Sequence, residues 1–192
     1  MAQTRILAFA GSARKDSYNK QLVQIAAQAA EHAKAVVTVL DLRDFSLPLF
    51  DEDLERDEGT PENAIQLKQL FVNHDGLLIA APEYNSSITP LLKNTIDWVS
   101  RPAKGESRLA AYQGKVAALM AASPGELGGL RGLVHVRSIL SSVGVIVLPD
   151  QIAIGRAFEA FDENGQLNDE KQQSRVEAIG IRLAETISKL NQ

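Results

Sequence analysis

The chain has 192 residues, 23% of them charged and 45% hydrophobic, and carries a formal net charge of -4. That length suits one domain with a substantial core, and the mild acidity argues against nucleic acid as the main partner, because a phosphate backbone needs a basic face. No cysteine occurs, which excludes disulfides, thiolate metal sites and cysteine nucleophiles, the cysteine phosphatases included.

The first apolar run, RILAFA at 5–10, is too short to span a membrane and predicts an opening strand rather than a leader peptide, so a cytoplasmic protein is expected. It ends at Gly11, and GSARKDSYN (11–19) follows before a helical stripe of Leu22, Ile25, Ala26 and Ala29. A strand–loop–helix of this kind suits a terminal phosphate. Gly11 permits a tight turn, Ser12, Ser17 and Asn19 can donate hydrogen bonds, Arg14 adds a charge-assisted contact, and the helix start aims unpaired N–H groups at the loop. Ser17 and Asn19 are equally suited to capping the helix, and the two uses are compatible. Neither GxGxxG nor GxxxxGK[ST] is present, so a pyrophosphate cradle is not implied.

VVTVL (36–40) predicts the second strand. The acidic run DEDLERDEGTPE (51–62) reads as a solvated loop leading to a helix that Thr60 caps and Pro61 opens. GLLIAA (76–81) predicts the third strand, and APEYNSS (81–87) places a ring, an amide and a carboxylate at its end. Pro82 biases Ala81 toward extended backbone, and Asn85, Ser86 and Ser87 are positioned to cap the helix carrying PLLKNTIDWV. That helix holds the only tryptophan, Trp98, on an apolar face with Leu91, Leu92 and Ile96, where core packing is the plain reading. KVAALMAA (115–122) predicts the fourth strand, and ASPGELGG (122–129) has glycines at 125, 128 and 129 that let a planar ligand approach the backbone. Leu130, Leu133, Val136, Leu140 and Val143 make the next helical stripe, VGVIVLP (143–149) the fifth strand, and Val176, Ile179, Leu183, Ile187 and Leu190 the last helix. His32, His74 and His135 lack metal-ligand spacing and read as surface or helix histidines.

Short continuous apolar runs alternating with amphipathic helices imply a parallel sheet buried on both faces. The expected architecture is one α/β domain over 1–192, with a five-stranded parallel sheet of flavodoxin-like order 2-1-3-4-5 and helices on both faces. The loops after strands one, three and four would then open on one crevice.

GSARKDSYNKQL, LPLFDEDLE, PEYNSSITPLLKNTIDWVSRP, SPGELGGLRGLVHVRSILSSVG and FDENGQLNDE together resemble the NAD(P)H-dependent FMN reductase family, flavodoxin-like flavoproteins that include quinone and chromate reductases. The resemblance runs from the first strand into the last helix. It implies FMN as cofactor, NADPH or NADH as hydride donor, and quinones, free flavin, azo compounds or metal oxyanions as acceptors. By the same resemblance Ser12, Arg14, Ser17 and Asn19 would hold the FMN phosphate. Pro82, Glu83, Tyr84, Asn85 and Ser86 would line the ring, and Ser123, Pro124 and Gly125 would close its other side. No catalytic acid or base and no metal are expected, since the cofactor carries the hydride. Arg101 and Arg108 are the cations weighed for the extra phosphate of NADPH. Family members commonly form homodimers or homotetramers, with the Trp98 helix as the expected interface. The alternative is an FMN-binding electron carrier that does not use nicotinamide.

Overall fold

The apolar runs at 5–10, 76–80 and 116–122 pair as central strands because both of their faces are buried, and those at 36–40 and 146–154 line the partly exposed edges. The computed structural model describes residues 3–103 and 105–191. In chain order its strands are β1 (Arg5–Ala10), β2 (Val36–Leu40), β3 (Gly76–Ala80), β4 (Glu83–Tyr84), β5 (Ser87–Ile88), β6 (Val116–Ala122) and β7 (Ile146–Ile154). Five pair in parallel in the order β2-β1-β3-β6-β7, and β4 and β5 form a separate antiparallel hairpin. With the hairpin set aside, this is the expected 2-1-3-4-5 arrangement.

The helices are α1 (Tyr18–His32), α2 (Glu52–Glu58), α3 (Glu62–Val72), α4 (Pro90–Val99), α5 (Leu130–Ser142), α6 (Ala157–Ala160) and α7 (Glu170–Leu190). Alternation along β1 sorts them onto two faces. Ile6, Ala8 and Ala10 meet Leu22, Ile25 and Ala26 of α1 and Val176, Ile179, Leu183 and Ile187 of α7. Leu7 and Phe9 meet Leu67 and Phe71 of α3, Leu92 and Ile96 of α4, and Leu133, Val136 and Leu140 of α5. Leu130 and Leu190, at the ends of their stripes, are exposed.

Several local expectations need correction. The acidic run is not a loop throughout: residues 52–58 are helical, because Asp51 accepts from the N–H groups of Asp53 and Leu54 and the first turn holds Glu52, Asp53 and Glu55, favourable at a helix start. Thr60 caps nothing, and Pro61 stands one position before the first residue of α3, without a side-chain cap. The last strand starts at Ile146 rather than 143, since Val143 closes α5 and Gly144, at φ 88°, turns the chain. It then runs to Ile154 through an excursion. The register passes from Ala117↔Val147 to Leu119↔Gln151, so Leu148, Pro149 and Asp150 stand opposite Ala118 alone. Arg137 of α5 braces that excursion by donating to the carbonyls of Val147 and Pro149 and to the Gln151 side chain.

Trp98 is a core residue, with its indole N–H donating to Pro48 O at 2.8 Å and its ring meeting Phe50 edge-on at 5.0 Å. His74 is buried rather than superficial. Its Nδ1 lies 2.6 Å from Leu70 O and its Nε2 2.8 Å from Thr38 Oγ1.

Candidate functional site

In an open parallel sheet ligands bind beyond the carboxyl ends of the strands, where the order reverses. Here those ends are Ala10, Ala80 and Ala122, of β1, β3 and β6. The first loop leaves β1 at Gly11, whose N–H donates to Ala80 O at 2.9 Å. A methyl group at Gly11 would lie 3.0 Å from Leu92 Cβ and 3.3 Å from Pro82 Cδ, so glycine is there to let α4 and the second loop close on the first.

Each residue of the first loop has a distinct setting. Ser12 is buried, and its Oγ accepts from Arg14 N at 3.2 Å, which folds the loop back while leaving the hydroxyl proton free to donate. Arg14 is exposed and makes only a 3.3 Å contact with Asp16 O, and neither Arg14 nor Lys15 pairs with a carboxylate among the described residues. Ser17 is the N-cap residue of α1 and only 4% exposed, yet its side chain caps nothing and has no hydrogen-bond partner among the described residues. The first N–H groups of a helix have no intrahelical partners. The Ser17 hydroxyl and the helix start are thus unpaired together.

Asn19, expected at the phosphate or the cap, faces elsewhere. Its Nδ2 donates to Ala122 O at 2.8 Å and its Oδ1 accepts from Ala122 N at 3.0 Å. The amide therefore ties the start of α1 to the end of β6, and so the first loop to the third.

The second loop is held by two further side chains. Thr89, rather than Asn85, Ser86 or Ser87, caps α4: its Oγ1 accepts from Leu92 N at 3.1 Å and donates to Gly11 O at 2.7 Å. Pro90 then takes the first helical position, where a missing N–H costs nothing. The local signal for this cap is Thr89 directly before Pro90. Glu83 turns its carboxylate to α5, accepting from Arg131 Nε and from Gly132 N, each at 3.0 Å. Burial alone would raise this carboxyl, but the Gly132 N–H and the Arg131 guanidinium hold it below the usual carboxylate range. Asn85 and Ser86 form the two-residue turn between β4 and β5, both left-handed, at φ 49° and 67°. Tyr84 is 52% exposed beside them, and Pro82 is buried behind.

The third loop corrects the reading of its glycines. At Gly128, φ 61°, a methyl would meet the backbone of Ile154 at 2.6 Å, and at Gly129 the Cβ of Ala121 at 2.8 Å. Their smallness serves the protein's own packing. At Gly125 the nearest neighbour would be Ser123 Oγ at 3.7 Å, so this glycine alone of the three borders open space. Ser123 fixes the loop base, its N–H donating to Ile154 O and its carbonyl accepting from Ala157 N. Pro124 is exposed.

Three polar side chains therefore tie this edge together: Thr89 joins the first loop to the second, Asn19 joins the first to the start of the third, and Glu83 joins the second to the helix that follows the third. Lys20, one turn into α1, is neutralised by Asp41 at 2.6 Å. Burial opposes that carboxylate's charge, but Lys20 and the Arg43 N–H keep its pKa below the ordinary value. Arg101 is also spoken for: Glu55 binds its guanidinium and raises its pKa further, and Phe50 lies 5.1 Å beneath it. Among the described residues no His, Asp and Glu cluster is able to hold a metal, and no helix is long and apolar enough to cross a membrane.

The family model described as NADPH-dependent FMN reductase matches residues 4–159. An NAD(P)H-dependent FMN reductase of Pseudomonas aeruginosa is 34% identical over 90% of this chain and 89% of its own length. A quinone reductase of Pseudomonas putida is 34% identical over 94% of this chain and 92% of its own. Among solved structures, the flavoenzyme NAD(P)H:(acceptor) oxidoreductase FerB of Paracoccus denitrificans superposes with a TM-score of 0.79 at 29% identity, covering 97% of this chain and 98% of its own.

Proposed function

The chain belongs to the NADPH-dependent FMN reductase family, and from that premise we propose how its own residues serve an NAD(P)H-dependent, FMN-containing oxidoreductase that acts on quinones. When bound, FMN supplies the two-electron relay between a nicotinamide hydride donor and a quinone. The observation that carries the assignment of the site is the Ser17 side chain, only 4% exposed as a residue and without a hydrogen-bond partner among the described residues, beside the unpaired first-turn N–H groups of α1. A hydroxyl and helix-start N–H groups left unspent in one place can all donate to a phosphate oxygen.

Ser17 and the first-turn N–H groups of α1 would hold the phosphate, the Ser12 hydroxyl would donate its free proton, and Arg14 would swing over from solvent. Asn19 serves by bracing Ala122, with one Nδ2 proton left for a ligand. Pro82, Glu83, Tyr84, Asn85 and Ser86 would form one wall for the ring, and Ser123, Pro124 and Gly125 the other. Tyr84 and the open backbone at Gly125 suit a flat group. No side chain need move a proton at a reacting atom. The chain contributes orientation of the donor and acceptor, and backbone donors fixed before the charge develops.

The 1–192 stretch acts as one FMN-binding domain in the cytoplasm, assembled as a homodimer or homotetramer. Free flavin, azo compounds and metal oxyanions are secondary acceptors. Anaerobic addition of NADPH to the FMN-loaded protein tests the function: the flavin absorbance should bleach within seconds and return when a benzoquinone is added. A bound flavin that stays yellow with both NADPH and NADH would mean a carrier that does not use nicotinamide.

A further inference from the structure

The hairpin that would face the cofactor is a poor structure by itself. It has two rungs, Glu83↔Ile88 and Tyr84↔Ser87, around a turn of two non-glycine residues in the left-handed region. Two-stranded hairpins are marginal in isolation, and such backbone conformations persist only where surroundings over-determine them. The surroundings here are the first turn of α5. Gly132 lets that helix lie close: a methyl there would come within 3.3 Å of Ser87 O and 3.4 Å of Glu83 Cβ. The Glu83 side chain, 9% exposed, spends one oxygen on Arg131 and the other on the Gly132 N–H. His135, on the same helix, lies 2.9 Å from Ser87 Oγ with its Nδ1. The carboxylate is thus turned to the protein, beside Tyr84 and Asn85, which are exposed.

We propose that Glu83 is a positioning residue. Its carboxylate locks the β4–β5 hairpin to the start of α5, and through that lock fixes the attitude of Tyr84, Asn85 and Ser86 toward the flavin. This rests on the site reading above. Displacing a wall by an ångström degrades the geometry of transfer far more than the binding of reactants, so the consequence falls on kcat.

The test compares FMN-loaded wild type with Glu83→Gln, Glu83→Ala, Arg131→Ala and the double Glu83→Ala/Arg131→Ala variant. Rates are taken per bound flavin with NADPH and a benzoquinone, beside the visible circular dichroism of the bound flavin. Glu83→Ala should lower kcat about tenfold or more, with KM for the quinone changed less than about threefold, and should alter the dichroism. Glu83→Gln, which keeps an acceptor for the Gly132 N–H, should recover most of the rate. The double variant should be no worse than Glu83→Ala, because the two residues act as one unit. A flavin-loaded Glu83→Ala protein with wild-type kcat and dichroism would overturn the proposal. Should that variant fail to fold, Arg131→Ala, which removes the other half of the lock and should lower kcat and alter the dichroism in the same direction, decides instead, and wild-type kcat and dichroism there would overturn the proposal. A wild type that nicotinamide does not bleach would refute the reductase reading, while the dichroism of the variants would still decide the lock.

Discussion

The side-chain amide of Asn19 and the main chain of Ala122 exchange two hydrogen bonds, of 2.8 and 3.0 Å, across 103 positions of sequence. A carboxamide holds a donor and an acceptor side by side in one plane, which lets it meet the N–H and the C=O of a single residue at once. Asn19→Ala should therefore leave a buried N–H and a buried C=O unpaired and destabilise the flavin-free protein by about 2–4 kcal/mol in urea unfolding. Unchanged stability with weakened FMN binding would make Asn19 a ligand rather than a brace.

Ser17 predicts the opposite pattern. Its hydroxyl has no partner among the described residues, so Ser17→Ala should leave flavin-free stability within about 0.5 kcal/mol, the usual cap bond being absent. FMN affinity should fall by about 1.5–3 kcal/mol, roughly tenfold to a hundredfold, the worth of a hydrogen bond to a charged group. Arg14→Ala should act in the same direction. Fluorescence titration with riboflavin, which lacks the phosphate, should show no difference between wild type and either variant, and a difference there would remove these residues from the phosphate.

The glycines of the third loop separate two kinds of demand. Gly128→Ala meets backbone that has no room to yield, at a left-handed φ as well, and should cost more than about 2 kcal/mol. Gly125→Ala, with only Ser123 Oγ near at 3.7 Å, should leave folding almost unchanged while weakening FMN. Thermal melts of both variants without cofactor check the contrast.

His74 gives the fold a pH dependence near neutrality. Burial, helped by the charges of Arg5 and Lys115 and opposed by the Leu70 carbonyl, lowers its pKa below the ordinary 6.5. Between the lowered value and 6.5 the unfolded chain binds the proton and the folded one does not. Its contribution is therefore complete above about pH 6.5 and is lost as pH falls below it. Urea midpoints at pH 7.5 and 5.5 should drop more for wild type than for His74→Gln, and equal drops would reject the account.

Much of this was legible in the chain. The central strands are legible because burial on both faces leaves no polar alternation to disguise an apolar run, and the loop after β1 stands out because hydroxyls and a cation crowd one turn. What was hidden has a common cause. Asn19 reaches Ala122, Glu83 reaches Gly132 and Thr89 reaches Gly11, and each pairing joins segments that only the crossovers bring together. No local pattern separates a polar residue facing a ligand from one facing a neighbouring loop. The hairpin at 83–88 escaped notice because two rungs are too short for a period. The acidic helix at 52–58 was missed because a cap and a helix dipole outweighed a composition that reads as solvated.

Pro149 and its excursion bear on how the molecule behaves in a crowd. β7 is the last strand of the sheet, and an open edge normally invites another copy to continue it. Here the edge bends out of line over three residues, one of them without an N–H to offer, and Arg137 already occupies two of the carbonyls nearby. A stranger's strand finds no continuous ladder to climb. Growth into fibres is discouraged on that side.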